Sequence, residues 1–218
     1  MKFAKYFDHT NLKADASRED IKKLCLEAKK YGFMSVCVNP FYVPIAKKLL
    51  EGSDVKITTV VGFPLGQNTP AIKRKEAIDA VNNGADEIDM VQNISMAKSH
   101  DFDYIEREVR LIKKGIGNKV LKVILENCLL TEEEIYFCSV ACLKGGADFV
   151  KTSTGFSKSG AKASDVALMK KAVGGKICIK AAGGIKTATD FQQMIKAGAT
   201  RIGSSNSVAI LEDLLKIR

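Results

Sequence analysis

Two lysines stand where runs of apolar residues come to an end: Lys151 in FVKTSTGF (149–156) and Lys180 in ICIKAAGG (177–184). Each follows by two positions a residue of its own strand face, Phe149 and Cys178, because side chains alternate across a strand. Adjacent strands lie about 4.8 Å apart, so two lysines pointing inward from neighbouring strands would bring their ammonium groups into one cavity. Like charges that are partly desolvated disfavour each other, and at least one amine is pushed toward its neutral form. A neutral lysine amine is the nucleophile of Schiff-base chemistry. On that reading Lys151 is the nucleophile and Lys180 tunes it. Spacing alone equally allows both lysines to pair with Asp89 or Glu126 as structural ions.

Asp89, in EIDMV, is a carboxylate inside an otherwise apolar segment. It could shuttle protons during imine formation and carbon–carbon cleavage, or serve as a lysine counter-ion, and the two roles are compatible. Glu87 shares its face and receives no role. Other strand ends supply Asp8 and Thr10, Asn39, Asn93, Glu126 and Asn127. Glycine-rich turns follow two further strands, AAGGIKT (181–187) and GSSNS (203–207), with Thr154-Gly155 beside them. Such turns expose backbone N–H groups, and a following helix start adds positive potential, a combination suited to phosphate. Lys186 could add charge there, or be a plain exposed lysine.

The composition narrows the class. His9 and His100 are the two histidines, and neither has a Cys or His cluster nearby, which argues against a zinc site. The six cysteines (25, 37, 128, 138, 142 and 178) form no CxxC pair and mostly sit in apolar runs, as reduced core residues of a cytoplasmic protein would. The net charge of +9 could draw anionic partners. Its lysines are spread over helix faces, as in IKKLCLEAKK, with no nucleic-acid motif, so they read as solvated surface. MKFAKYFDHT has no secretory apolar core, and no window approaches a membrane span. The expectation is a cytoplasmic chain with no nucleic-acid or membrane partner.

The elements that must position these residues repeat along the chain. NNGADEIDMV, KGGADFVKTS and KAGATRIGSS, with KKYGFMSVCV as a looser copy, each read as a helix end, a glycine able to take positive φ, and a strand. Ser17/Asp20, Thr131/Glu134 and Thr187/Asp190 have capping-box spacing, and Thr69 and Asn39 each precede a proline at a helix start. Eight strands alternate with helices: YFDHT, SVCVN, KITTVVG, EIDMV, VLKVILE, FVKTS, ICIKA and RIGSS. Most read as apolar on both faces, as helix-covered parallel strands do. The fold class is α/β, a (β/α)8 TIM barrel in one domain spanning 1–218, with an open Rossmann-like sheet second. Active sites of such barrels lie at the C-terminal ends of the strands.

With these residues placed, the chain closely resembles the deoxyribose-phosphate aldolases. The resemblance is carried by DHTNLK, VCVNP, TVVGFPLG, GADEIDMV, KVILE, ADFVKTSTGF, IKAAGGIKT and RIGSS, nearly end to end. It implies a class I aldolase, with neither metal nor cofactor, that reversibly cleaves 2-deoxy-D-ribose 5-phosphate to acetaldehyde and D-glyceraldehyde 3-phosphate. Its partners would be that sugar phosphate and the aldehydes, with a homodimer as the expected assembly. It implies Lys151 as the imine lysine, Lys180 as the residue lowering its pKa, and Asp89 as a proton donor or acceptor acting through water. Thr154, Gly155, Gly183, Gly184, Gly203, Ser204, Ser205 and Lys186 would hold the phosphate. The chain departs from the family pattern at Asn206, a glycine in most members, at Lys186, usually arginine, and at SKSGAK, where a glycine run is usual. Two readings stand beside this one. Another phosphate-binding barrel, a sugar-phosphate isomerase or a transaldolase-like enzyme, would share the loops. A catalytically impaired member would keep only metabolite binding.

Overall fold

The computed structural model describes residues 3–216; residues 1, 2, 217 and 218 of the expected domain lie outside the described residues. Eight parallel strands close into a barrel in chain order. They are β1 (Phe7–Asn11), β2 (Ser35–Val38), β3 (Lys56–Val61), β4 (Glu87–Val91), β5 (Val120–Ile124), β6 (Phe149–Lys151), β7 (Cys178–Ala182) and β8 (Arg201–Ser204). Closure comes from β8 pairing with β1, Asp8 opposite Gly203, which rules out the open sheet. Around the barrel pack α1 (Arg18–Tyr31), α2 (Val43–Leu49), α3 (Pro70–Asn82), α4 (Ile94–Lys98), α5 (Phe102–Ile116), α6 (Glu132–Lys144), α7 (Ala163–Val173), α8 (Ala188–Ala197) and α9 (Ser207–Lys216).

Local chemistry explains the boundaries. Ser17, Thr131 and Thr187 each accept from the backbone N–H three residues on, and the acidic residue there answers the cap's own N–H. Thr69 and Asn39 precede proline as expected, yet neither side chain caps. A proline at the first position already fixes φ and has no N–H to satisfy. The Asn39 amide is used elsewhere, donating to the Leu12 carbonyl at 3.2 Å. In all four copies of the repeated turn the glycine expected to take positive φ does so, at Gly32, Gly84, Gly146 and Gly198.

The strands are not apolar on both faces. Their outward residues, among them Ile88, Met90, Leu121, Val123, Val150, Ile179 and Ile202, join the core beneath the helices. Many of their inward residues are charged or hydroxylic and equally buried: Asp8, Ser35, Thr58, Glu87, Asp89, Lys122, Lys151, Lys180 and Arg201, beside Cys37, Val60 and Ile124. Barrels of this type usually fill that space with branched apolar side chains. Here ions of opposite sign fill it, which is tolerable only because they neutralise one another. The cysteines also divide: 25, 37, 138 and 142 are buried, Cys128 is partly exposed and Cys178 is exposed, so the last two are not core residues.

A second buried pair anchors β4, the strand that carries Asp89. Lys73 of α3 donates through Nζ to the Val91 carbonyl and to Glu108 Oε1 of α5, both at 2.8 Å. Glu108 Oε2 accepts from the Asn93 N–H at 3.1 Å. Burial pushes the Lys73 pKa down and the Glu108 pKa up, and each charge opposes the shift of the other. Removing one partner from such a pair costs about 3–5 kcal/mol, while replacing both by apolar groups is often neutral. Lys73→Met is therefore expected to lose about that much stability, and Lys73→Met with Glu108→Leu to recover most of it. Urea unfolding followed by circular dichroism measures both; a single-variant cost below about 1 kcal/mol would contradict the assignment.

Candidate active site

Register brings the interior charges together. Lys151 of β6 lies opposite Lys180 of β7, and Asp89 of β4 lies opposite Lys122 of β5. Asp89 Oδ2 accepts from both Lys151 Nζ at 2.8 Å and Lys180 Nζ at 2.6 Å, while its Oδ1 accepts from Lys122 Nζ at 2.8 Å. Asp8 Oδ2 sits 2.5 Å from Lys180 Nζ, and Asp8 Oδ1 accepts from Arg201 at 2.7 Å and from Ser35 at 2.7 Å. Glu87 Oε2 completes the layer below, 2.6 Å from Lys122 Nζ and accepting from Arg201 at 2.9 Å. Glu126, the other carboxylate considered for the lysines, instead accepts from Thr154.

The two facing lysines are driven in opposite directions. Burial is the largest influence on Lys151 and lowers its pKa; the Asp89 carboxylate opposes this and the Lys180 charge adds to it. Burial also works against a charged Lys180, but Asp8 and Asp89 together outweigh it and hold the ammonium above the ordinary lysine range. Like-charge repulsion is thus real but secondary, and desolvation is the main reason that Lys151 yields. Burial would raise Asp89, yet Lys122, Lys151 and Lys180 hold it well below the carboxylate range. An ionised carboxylate between a firm ammonium and a weakened one can pass protons and orient an amine.

Above this network opens a cavity of about 410 Å³, with Lys151 at its base. Its walls include Thr154, Gly155, Gly183, Gly184, Gly203, Ser204, Ser205 and Lys186, so every residue named for phosphate lines it. Lys180 and Asp89 lie beneath, buried and bonded to Lys151 or to each other. The loops are tied edge to edge. Gly183 has φ +84°, and a Cβ on Gly160 would stand 2.1 Å from the Gly183 carbonyl oxygen, so the β6 and β7 loops can touch only through glycine. The Ala161 N–H donates to that same carbonyl at 3.0 Å. Ser204 Oγ donates to the Ile185 carbonyl at 2.8 Å and accepts from the Asn206 N–H, so its hydroxyl is engaged within the loop. Asn206 does not need left-handed φ; its amide donates to the Lys186 carbonyl at 2.8 Å, clamping the β8 loop to the β7 loop.

Sequence reasoning missed several contributors. Lys122 and Arg201 received no role, Asp8 was not joined to Lys180, and Gly160 sat in a segment noted only as a departure. The signal was the two-residue period: Lys122 is the lone charge within VLKVI, on the face that also carries Ile124, whose neighbour is Lys151. Glu126 was also underread. It adopts φ 60°, rare for a non-glycine residue, and its carboxylate accepts from the Thr154 N–H at 3.2 Å and closely from the Thr154 hydroxyl, fixing the wall above Lys151. His9 is buried, with Nε2 2.9 Å from Glu27 Oε2. Among the described residues no His, Cys, Asp and Glu group could hold a metal ion, and no helix is long and apolar enough to cross a membrane.

Known proteins resemble this chain in sequence and fold. A profile described as DeoC/LacD family aldolase matches residues 2–212. The chain is 57% identical to the deoxyribose-phosphate aldolase of Aciduliprofundum boonei, over 97% of this chain and 96% of that one. With the deoxyribose-phosphate aldolase of Lysinibacillus sphaericus it shares 51% identity over 98% and 96%. A solved structure of a putative deoxyribose-phosphate aldolase from Coccidioides immitis superposes with a TM-score of 0.96 at 39% identity, covering 98% of this chain and 85% of that one.

The interior carboxylates also set an acid limit. Asp8 and Asp89 are held below their ordinary values: burial works the other way, but Lys180, Lys122 and Arg201 outweigh it at Asp8, and the three lysines do so at Asp89. A depressed carboxylate stabilises the fold fully above its unfolded value, near 3.8, and the contribution is lost as pH falls toward the folded one. The melting temperature, followed by circular dichroism, is therefore expected to hold above about pH 5 and drop steeply below about pH 4. A flat profile down to about pH 2 would contradict the network.

Proposed function

The chain belongs to the DeoC/LacD family of aldolases, and from that premise we propose that it is a deoxyribose-phosphate aldolase working through an imine at Lys151. It reversibly cleaves 2-deoxy-D-ribose 5-phosphate to acetaldehyde and D-glyceraldehyde 3-phosphate. The observation that carries the residue assignment is that, of the three interior lysines, Lys151 lines the cavity and is also the one with a lowered pKa. Its amine attacks the aldehyde carbon of the open-chain sugar, and the carbinolamine loses water to give an iminium. The C3 hydroxyl then gives up its proton while the C2–C3 electron pair flows into the iminium. That releases glyceraldehyde 3-phosphate and leaves an enamine, which is protonated at C2 and hydrolysed to acetaldehyde and free lysine. The iminium is the electron sink, so no separate cofactor is required for the carbanion.

Asp89 exchanges the protons of these steps through water and orients Lys151 by the hydrogen bond at 2.8 Å. Lys180 keeps Asp89 ionised and repels a proton from Lys151. The β6, β7 and β8 loops take the phosphate on backbone N–H groups, with the starts of α8 and α9 and the Lys186 ammonium adding positive potential. A homodimer belongs to the same proposal and rests on the family resemblance; light scattering giving twice the 23.7 kDa chain mass would support it, and the single mass would remove it. So does a cytoplasmic location, since charged sugar phosphates stay in the compartment where they form.

Borohydride reduction in the presence of 2-deoxyribose 5-phosphate tests the imine directly. A reduced adduct is expected on the peptide containing Lys151 and is expected to vanish in Lys151→Ala with its circular dichroism unchanged. A sugar-phosphate isomerase would use the same loops and leave Lys151 unmodified. No adduct on the folded chain, with a family member labelled in parallel, would overturn the reading.

A further inference from the structure

Three carboxylates, Asp8, Glu87 and Asp89, share the barrel interior with four basic groups, Lys122, Lys151, Lys180 and Arg201. The set is neutral only if one basic group gives up its proton. The contacts decide which. Arg201 is held by Asp8 and Glu87, Lys122 by Glu87 and Asp89, and Lys180 by Asp8 and Asp89. Lys151 has Asp89 alone, through an oxygen that it shares with Lys180.

We infer that Glu87 and Arg201, one layer below the reacting amine, are positioning residues whose opposite charges balance the interior so that Lys151 is the lysine left without a counter-charge of its own. Neither lines the cavity, and neither is bonded to Lys151. Their influence travels through shared partners. Glu87 takes up Lys122 and one side of Arg201, and Arg201 takes up Asp8 Oδ1, leaving Asp8 Oδ2 for Lys180. The buried inward titratable groups are then all counted: Asp8 from β1, Cys37 from β2, Glu87 and Asp89 from β4, and one basic group from each of β5 to β8; Lys56 and Cys178, which begin β3 and β7 on the same face, are exposed. The buried inward residues of β3, Thr58 and Val60, carry no charge. Cys37 is a neutral thiol, its pKa raised chiefly by burial. The inference rests on reading Lys151 as the amine nucleophile.

The test reads the Lys151 amine without substrate, by acylation with acetic anhydride at a series of pH values and mass spectrometry of the Lys151 peptide. Glu87→Gln removes an anion, so a proton on Lys151 becomes less favourable and the midpoint is expected to fall by about one pH unit. Arg201→Gln removes a cation, and the midpoint is expected to rise by about as much. The double variant restores the balance and is expected to return close to the parent, and Arg201→Lys, which keeps the charge, is expected to leave the midpoint in place. A purely structural role predicts no ordered shift and a double variant no better than either single one, and that result would overturn the inference. Should Arg201→Gln fail to fold by circular dichroism, Glu87→Gln and Arg201→Lys decide the matter alone: a fall with the first and no change with the second supports it, any other pair overturns it. Because no substrate is used, these outcomes are separate from the presence or absence of the borohydride adduct.

Discussion

Asp89 accepts from two lysines through one oxygen and from a third lysine through the other, and that sharing is what the rest of the interior has to accommodate. Burying an ammonium without an anion is prohibitive, and burying several around one carboxylate is tolerable only if further anions follow. Asp8 and Glu87 are those anions. The strands make the arrangement rigid, since parallel pairing fixes Lys151 opposite Lys180 and Asp89 opposite Lys122, and none of them can withdraw without breaking a ladder. A charged cluster built into a barrel wall therefore cannot relax toward solvent as a surface ion pair would. The burden falls instead on the amine at the open end, Lys151, whose pKa burial lowers.

The surrounding layers hold that geometry from outside. Outward faces of the strands pack an apolar sheath against the helices, so the barrel wall is stabilised by burial although its lumen is ionic. Lys73 and Glu108 pin the end of β4 to two helices, just past Asp89. At the mouth, Glu126 accepts a left-handed backbone in exchange for two bonds to Thr154, and Gly160 lets the β6 loop reach the carbonyl of Gly183. Order in these loops matters because backbone N–H groups bind an anion only when they converge.

The barrel itself was legible because its signals are local. Three capping boxes and four left-handed glycines mark the repeated unit, and eight strands alternating with helices leave little choice of architecture. The lysines and Asp89 were legible as charges inside apolar strands. What escaped was long-range. Lys122 looks like one lysine among many, and only its register with Asp89, set by pairing between β4 and β5, makes it an interior ion. Arg201 opens a strand that otherwise resembles its neighbours, and its partners come from β1 and β4, far away in sequence. Gly160 is a surface-type glycine until the β7 loop is placed against it. Reading the strands as apolar on both faces came from their composition; their alternation already separated an ionic face from an apolar one.

On the proposed mechanism, an interior that is neutral with Lys151 as an amine becomes cationic when the iminium forms, and the electrostatics of the whole site turn on that step. The positive charge appears at the upper edge of the network, against the cavity rather than within the floor. Asp89 is already at hydrogen-bonding distance from that nitrogen, so the anion that meets the new charge is in place beforehand and need not be recruited. The substrate would contribute as well, since in the same proposal its phosphate enters the loops of this cavity and brings its negative charge in together with the carbonyl. Stabilising the iminium too well would trap it; stabilising it too little would stop the amine from attacking. A carboxylate divided among three lysines is a weaker partner than one devoted to a single ion. Sharing Asp89 thus leaves the iminium supported but not fixed, which suits an enzyme whose covalent intermediate has to form and hydrolyse within the same turnover.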